Sequence, residues 1–298
     1  MKSRGADASR TADSGQLLAL PWTAVLLLFW IYPLGYALAL AFADKDIFAG
    51  GWTWVGLKNF SAVLSSSDFW SALGHTAVFT AGTVPVTTVL AILLALALNE
   101  RIWGRALFRA GFFAPTLTAT VVIALVFLHL YGQNGYLYRL VDWAGLPVPE
   151  RGFLLSEKTA LAAVMAMDIW VSVGYYALLF LAGLQSIPSE LVEDATMHGA
   201  GAWTRFTAIT WPYLKPTLLY ALVINLIKSL QVFTEIFVMT QGGPLGATTT
   251  AVYHVYSAGF ERFSLGYASA AAYVLFLIIA LVSLAQFRLL SFGRGAEE

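Results

Sequence analysis

Residues 184–216 read LQSIPSELVEDATMHGAGAWTRFTAITWPYLKP and lie between two long apolar stretches. Pro188 suits the first turn of a helix, and the acidic residues after it favour the positive end of a helix dipole. Gly199 and Gly201 can take the positive φ that ends a helix. The pattern predicts a short helix, a glycine turn and a second short helix that ends before Pro212. A simple connection between membrane spans needs no such structure, so we expect this segment to lie on the membrane surface.

The composition of the whole chain indicates a polytopic membrane protein. Of its 298 residues, 59% are apolar and only 11% are charged, with a mean hydropathy of +0.73. Soluble domains carry about 25% charged and about 45–50% apolar residues, so a water-facing surface cannot be covered here. The 17 basic and 17 acidic residues balance, which excludes a basic nucleic-acid binder. We expect the lipid bilayer, and no nucleic acid, as a partner.

Six stretches are long and apolar enough to cross a bilayer as helices, which takes about 20 residues. They are residues 17–42, 70–96, 112–131, 160–184, 218–239 and 266–287. The first stretch could instead be a secretory signal, but its apolar run exceeds the roughly 7–15 residues of a signal core. The sequence therefore predicts an all-α, polytopic membrane protein with six transmembrane helices.

The distribution of lysine and arginine predicts the orientation of these spans. Ten basic residues lie on the side of the N-terminus and six on the opposite side. The clearest contribution comes from Arg101, Arg105 and Arg109, which follow the second span. Both termini are therefore expected in the cytoplasm. The predicted segments are a cytoplasmic tail (1–16), a first helix with its outer loop (17–68), a five-helix transmembrane core (69–290, including the surface loop 185–216) and a second cytoplasmic tail (291–298).

The surface loop resembles the EAA loop of ABC importer permeases. In that pattern Glu-Ala-Ala is followed by glycine after three residues and by Ile-x-Leu-Pro about nine residues later. The matching residues are Glu193, Asp194, Ala195, Gly199, Ile209 and Pro212. This sequence departs from the pattern in having Asp194 for the middle alanine, His198 for the aspartate before the glycine and Trp211 for the leucine.

The resemblance extends over nearly the whole chain. Residues 56–60 read GLKNF, residues 240–244 read TQGGP and residues 266–270 read GYASA. These motifs are similar to those of carbohydrate permeases of the maltose-type first-subunit branch, which also includes glycerol-3-phosphate permeases. The combination resembles this branch specifically, whereas each motif alone is weak.

The resemblance implies a type I ABC importer permease fold and a transport mechanism by alternating access in the bacterial cytoplasmic (inner) membrane. It implies a second permease subunit, two copies of a cytoplasmic ATPase subunit and an extracytoplasmic solute-binding protein as partners. The six matching loop residues would form the coupling helix that docks on the ATPase. The alternative interpretation of the loop is an interfacial amphipathic helix without a partner.

The chain itself is not expected to be an enzyme. It contains no Gly-x-x-x-x-Gly-Lys-Ser/Thr phosphate loop, no His-Glu-x-x-His and no Gly-x-Ser-x-Gly. Its four histidines lack the spacing of metal ligands, and it has no cysteine. We therefore expect no catalytic residue, metal or cofactor in this chain, with ATP and magnesium on the partner ATPase.

Polar residues within the spans are candidates for a solute pathway. On a continuous helix Asn225, Lys228, Gln231 and Glu235 would lie within about 120° of one face. Such residues in a span commonly face the bundle interior or a water-filled path. Asp168 in the fourth span is a further candidate, because hydroxyl-rich solutes need groups that donate and accept hydrogen bonds.

Two alternatives to a solute role remain open. Lys228 could pair with Asp168 or with Glu235 for structural reasons. The same charged residues could also serve as a coupling-ion relay in an ion-coupled secondary transporter.

Overall fold

The computed structural model describes residues 19–45, 50–100 and 103–291. The predicted tail 1–16, and all of the predicted tail 291–298 except its first residue, lie outside the described residues. The chain divides into two compact units, one of Met1–Ser65 with Val255–Val274 and one of Ser66–His254 with Leu275–Glu298.

The first unit begins with α1 (Ala19–Ala41), which contains a π-helical turn. Strands β1 (Ala43–Lys45) and β2 (Trp52–Trp54) then form an antiparallel ribbon, and α2 (Lys58–Ser65) follows. Asn59, from the GLKNF motif, fixes α2 because its Nδ2 donates to the carbonyl oxygens of residues 41 and 43 at 3.1 and 2.9 Å. This motif therefore closes the turn after the first span.

The remaining elements are helical within the described ranges. They are α3 (Ser67–Asn99), α4 (Arg105–Leu117), α5 (Thr120–Leu130), α6 (Tyr136–Trp143), a 3-10 turn (Phe153–Leu155), α7 (Ala160–Gln185), α8 (Ser189–Met197), α9 (Ala202–Arg205), a π-helical turn (Phe206–Thr210), α10 (Trp211–Leu230), α11 (Thr234–Met239), α12 (Ala251–Tyr256), a further π-helical turn (Ser257–Glu261) and α13 (Leu265–Ser291).

Among the described residues, five helical segments are long and apolar enough to cross a membrane. They are Ala19–Ala41, Ser67–Asn99, Ala160–Gln185, Ala202–Met239 and Leu265–Arg288. The all-α, membrane-spanning fold predicted from the sequence is confirmed, and the third of the six predicted spans is a bent pair of helices.

The third predicted span, 112–131, is not one continuous helix. Helices α4 and α5 meet at an angle of 97°. Thr118 and Ala119 between them have extended backbones, with ψ of 139° and 129°. Pro115 offers no N–H to the last turn of α4, and the threonines around it are β-branched, so continuing the helix here is unfavourable. Hydropathy alone did not reveal this break.

The core of the second unit lies where α3, α7 and α10 pack together. Its buried members are Ala91, Ala95, Leu98, Tyr176, Ala177, Phe180, Leu181, Leu184, Leu214 and Ala221. Alanine recurs because lipid provides no hydrophobic drive between helices, so close packing of small residues stabilises their association. Helices α4 and α7 also cross closely, since a Cβ added to Gly174 would lie 1.9 Å from the carbonyl oxygen of Phe112.

Candidate functional site

The surface segment after α7 begins with α8 and ends in a glycine cap. Gly199 has φ +77°, and its N–H donates to the carbonyl of Thr196 at 3.0 Å. The N–H of Ala200 donates to the carbonyl of Ala195 at 2.9 Å, which completes a Schellman motif. A Cβ at Gly199 would meet nothing within 4 Å. The glycine is therefore required by backbone conformation and not by crowding.

The second arm of the segment differs from the prediction in two respects. Gly201 does not take positive φ, because it precedes α9 with φ −66° and ψ 166°. Pro212 does not end the helix, since helical structure continues through the π turn into α10. Proline is tolerated there because the π-helical turn immediately before it already interrupts the regular hydrogen bonds of the helix, so its missing N–H disturbs the helix less. The second arm is thus continuous with the fifth membrane-spanning segment, Ala202–Met239.

A polar contact braces the two arms against each other. The Nη1 of Arg205 donates to the Oγ1 of Thr196 at 2.7 Å. The hydroxyl of Thr196 in turn donates to the carbonyl of Val192 within α8 at 2.6 Å. This contact links α9 to the last turn of α8.

The segment exposes large apolar side chains to its surroundings. Met197 is 80% exposed, Trp203 is 75% exposed and Leu191 is 42% exposed. An exposed group of this kind marks a surface that contacts a partner or a membrane. The six residues of the EAA resemblance all lie in or beside this surface: Glu193, Asp194 and Gly199 are exposed, and Ala195, Ile209 and Pro212 are half-buried.

The four polar residues of the fifth span do not lie on one continuous helix. Helix α10 ends at Leu230, and α11 begins at Thr234 after a break at 231–233. The break frees the carbonyl of Val232, which accepts a hydrogen bond from Thr250 Oγ1 at 3.1 Å. Because a distant hydroxyl satisfies this backbone group, the interruption is tolerated within the span. The uniform stripe predicted from helical spacing is therefore wrong in its geometry.

The break nevertheless brings most of the predicted pathway residues together. A cavity of about 220 Å³ is lined by Asp168, Lys228, Gln231 and Glu235. Its other lining residues are Phe79, Thr120, Ser229, Val232, Phe233 and Thr234. Asn225 lies outside this lining and is only 3% exposed. The cavity thus combines charged, amide, hydroxyl and aromatic groups.

Lys228 pairs with Asp168 across two helices. Its Nζ lies 3.5 Å from Asp168 Oδ1 and donates to Ser172 Oγ at 2.9 Å. The Asp168 side chain is buried, whereas half of the Lys228 side chain remains exposed. The alternative of a structural Asp168–Lys228 pair is therefore realised in the structure. Sequence reasoning missed Ser172, although it follows Asp168 by one helical turn.

A ladder of hydroxyls beside the cavity was also missed. Ser229 Oγ lies 2.9 Å from Thr83 Oγ1 and donates to Thr80 Oγ1 at 3.2 Å. The threonines are buried on the face of α3 that packs against α10. Threonine recurs every three or four residues along α3, at Thr76, Thr80, Thr83 and Thr87, and this spacing is the signal that could have identified the face.

Comparison with known proteins adds to this geometry. Residues 87–292 match the family model described as binding-protein-dependent transport system inner membrane component. The trehalose/maltose transport system permease protein MalF of Thermococcus litoralis is 37% identical over 243 residues, which cover 81% of each chain. The sn-glycerol-3-phosphate transport system permease protein UgpA of Agrobacterium fabrum is 34% identical over 277 residues, covering 91% of this chain and 92% of that relative.

A solved structure shares the fold. It is the crystal structure of a bacterial ABC transporter involved in the import of the acidic polysaccharide alginate, with a TM-score of 0.84 and 24% identity over 99% of this chain and 100% of that one. The family model covers more than half of the chain, and the relatives cover most of it at over 30% identity. This chain therefore belongs to the family of inner membrane components of binding-protein-dependent transport systems.

Proposed function

We propose that this chain is the permease subunit of an ATP-binding-cassette importer that moves a sugar or a related polyol across the cytoplasmic membrane by alternating access. The observation that carries the proposal is the exposed helix–turn–helix between two membrane-spanning segments, at the position where the EAA pattern falls. The named relatives support the solute class, since they are permease proteins of trehalose/maltose and sn-glycerol-3-phosphate transport systems.

The segment from α8 to Pro212 is the proposed contact with the ATPase. Met197 and Trp203 supply apolar area, and Glu193 and Asp194 supply charges for basic groups of the partner. The sequence has no phosphate loop, so hydrolysis, with ATP and magnesium, falls to a separate chain. We propose two copies of that ATPase, a second permease subunit and an extracytoplasmic solute-binding protein as the partners.

The orientation follows from the same assignment. A contact with the ATPase requires the segment between the fourth and fifth spans to face the cytoplasm. An even number of crossings on either side then places both termini in the cytoplasm, in agreement with the excess of lysine and arginine on that side.

The cavity at the helix break is the proposed part of the solute pathway. Asp168, Lys228, Gln231 and Glu235 offer both donors and acceptors for hydroxyl groups, and Phe79 and Phe233 add aromatic surface. Asn225 remains a proposed pathway residue, although it lies outside the cavity lining. The ion-coupled alternative has no support from the relatives, whose names describe transport-system permeases.

Purification of the tagged chain from native membranes in mild detergent, followed by mass spectrometry, tests the proposal. An ATPase with a phosphate loop and a second six-span chain are expected to accompany it. Trp203→Glu is expected to release the ATPase, because it places a charge in the apolar contact. The matched control is Trp143→Glu, since Trp143 is 85% exposed but lies between the third and fourth spans on the opposite side.

Two outcomes would overturn this assignment. The first is a chain that reproducibly purifies alone from membranes in which other complexes remain intact. The second is full retention of the ATPase by Trp203→Glu.

A further inference from the structure

Two arginines of α4 converge on the last residue of α7. With the Gln185 amide oriented so that its oxygen faces them, this oxygen accepts from Arg105 Nη2 at 3.2 Å and from Arg109 Nη2 at 2.9 Å. Arg105 also donates from Nε to the carbonyl oxygen of Leu98 at 2.6 Å. We refer to Arg105, Arg109 and Gln185 as the arginine clamp.

The arginine clamp joins the ends of three helices. Leu98 belongs to the last turn of α3, Arg105 is the first residue of α4 and Gln185 is the last residue of α7. The last carbonyls of a helix have no partner within it, and a cation near them is favourable. Hydrogen bonds from guanidinium groups are also stronger than those between neutral groups. The clamp therefore holds the three ends together at the side of the bundle from which the surface segment leaves.

The position of the clamp places it between the surface segment and the bundle. Only residues 186–188 separate Gln185 from the start of α8. Directly before the clamp, Leu98 and Leu184 belong to the buried core of α3, α7 and α10. A close-packed core deforms little. When α8 moves, Gln185 and the two arginines bonded to it are therefore the first residues of the bundle to be displaced.

Helix α4 connects the clamp to the polar cavity. Further along α4, Thr116 Oγ1 donates to the carbonyl of Val171 at 3.3 Å, and the backbone at Phe112 touches Gly174. The 13 residues of α4 span about 20 Å at about 1.5 Å per residue. The 97° bend follows, and Thr120 immediately beyond it lines the cavity.

We propose that Arg105 and Arg109, acting through Gln185, are positioning residues that make α4 follow the base of the surface segment. A displacement of α8 by the ATPase then reaches the bend at Thr118 and Ala119, and with it the cavity. This inference rests on the proposed function, because it assigns a path to the movement that the ATPase supplies.

The chemistry of the clamp provides selective variants. Gln185→Leu removes the acceptor at similar size, so α4 is no longer bound to the end of α7. Gln185→Glu keeps an oxygen in place and adds a charge opposite to that of the arginines, so the link is retained. Ser186→Ala is the matched control, because this neighbouring hydroxyl donates within α7 to the carbonyl of Gly183 at 2.8 Å.

The test uses the whole complex with its ATPase and a single thiol at the bend. The chain contains no cysteine, so Ala119→Cys provides its only thiol, at an exposed position. The rate of modification of this chain by a maleimide is measured without nucleotide and after trapping with ATP and vanadate. The rate is expected to differ several-fold between the two states in the Ala119→Cys parent, and to keep that ratio with Gln185→Glu or Ser186→Ala. With Gln185→Leu the ratio is expected to fall to about one while the ATPase remains bound.

Each other outcome has a defined meaning. An unchanged ratio in Gln185→Leu overturns the inference, as does a parent whose rate does not respond to nucleotide, because the bend then does not move. Loss of the ATPase from the Gln185→Leu complex also overturns it, in favour of a docking role for the clamp. Absence of any ATPase from the parent complex refutes the proposed function itself, and the two failures are therefore distinguishable.

Discussion

Replacement of Gly174 by alanine is expected to separate α4 from α7. An ideal Cβ at this position would lie 1.9 Å from the carbonyl oxygen of Phe112 and 2.9 Å from its carbonyl carbon. Ordinary contacts of a Cβ begin near 3.4 Å, so the backbone of α4 must move away by about 1.5 Å. A backbone cannot rotate out of the way as a side chain can, and the movement must also disturb the nearby Thr116–Val171 hydrogen bond.

Comparison with a second glycine isolates the loss in free energy of unfolding that the clash at Gly174 causes. Gly111 lies within α4, and a Cβ there would meet nothing within 4 Å. Both substitutions gain about 1 kcal/mol from the better helix propensity of alanine, so this gain cancels in the comparison. The remaining difference is the cost of overpacking, about 1–3 kcal/mol, with Gly174→Ala the less stable variant.

The assay is the apparent unfolding midpoint of each purified variant in the same detergent. A difference of 1 kcal/mol shifts the midpoint of a domain of comparable size by about 2–4 °C, so Gly174→Ala should melt several degrees below Gly111→Ala. Gly82→Ala should fall between the two, because its Cβ would meet only the flexible end of Met165.

Equal midpoints for Gly174→Ala and Gly111→Ala would refute this reasoning. They would mean that α4 and α7 do not cross at Gly174 and Phe112. Helix α4, which connects the arginine clamp to the bend, would then lose its contact with α7 at Gly174.

Asp168→Ala is expected to lower the unfolding midpoint because it removes the carboxylate that faces Lys228 Nζ at 3.5 Å. Addition of Lys228→Met should recover part of the loss, with a coupling energy of about 1 kcal/mol since the lysine is half exposed; strict additivity in the double-mutant cycle would contradict the pair. Gly199→Ala is expected to reduce ATP hydrolysis by the complex, because holding an L-residue at φ +77° costs about 1–2 kcal/mol and changes the end of α8. Gly201→Ala at φ −66° should leave hydrolysis unchanged, and equal activities of the two glycine variants would show that the cap is unnecessary.

The membrane-spanning character of the fold could be predicted from the sequence because it depends on local quantities. Backbone groups in lipid must be satisfied within the segment, so a long apolar run specifies a helix without reference to other parts of the chain. The same holds for the end of α8, since its cap consists of hydrogen bonds from Gly199 and Ala200 to residues three and five positions before each of them, respectively. These features need only neighbours in sequence.

The bend of the third span has a local signal in Pro115 and the threonines around it, but the interruption of the fifth span could not be predicted in this way. The break at 231–233 is as apolar as the helix around it, and it depends on Thr250 to satisfy the carbonyl of Val232. The prediction of a continuous polar stripe failed because it assumed helical spacing through this break. Pro212 led to the opposite error, because the helix continues through the π-helical turn before it instead of ending there.

The sequence by itself determined that this chain crosses a bilayer several times, that a capped helix stands between its fourth and fifth spans and that few charges occur within the spans. Only the tertiary structure decided what those charges contact. Asp168 and Lys228 are 60 positions apart, and their pairing depends on the crossing of α7 and α10. The same applies to the cavity at the helix break and to the convergence of Arg105 and Arg109 on Gln185. Local pattern specifies helices because their hydrogen bonds close within a few residues, whereas a site depends on distances between helices that only packing sets.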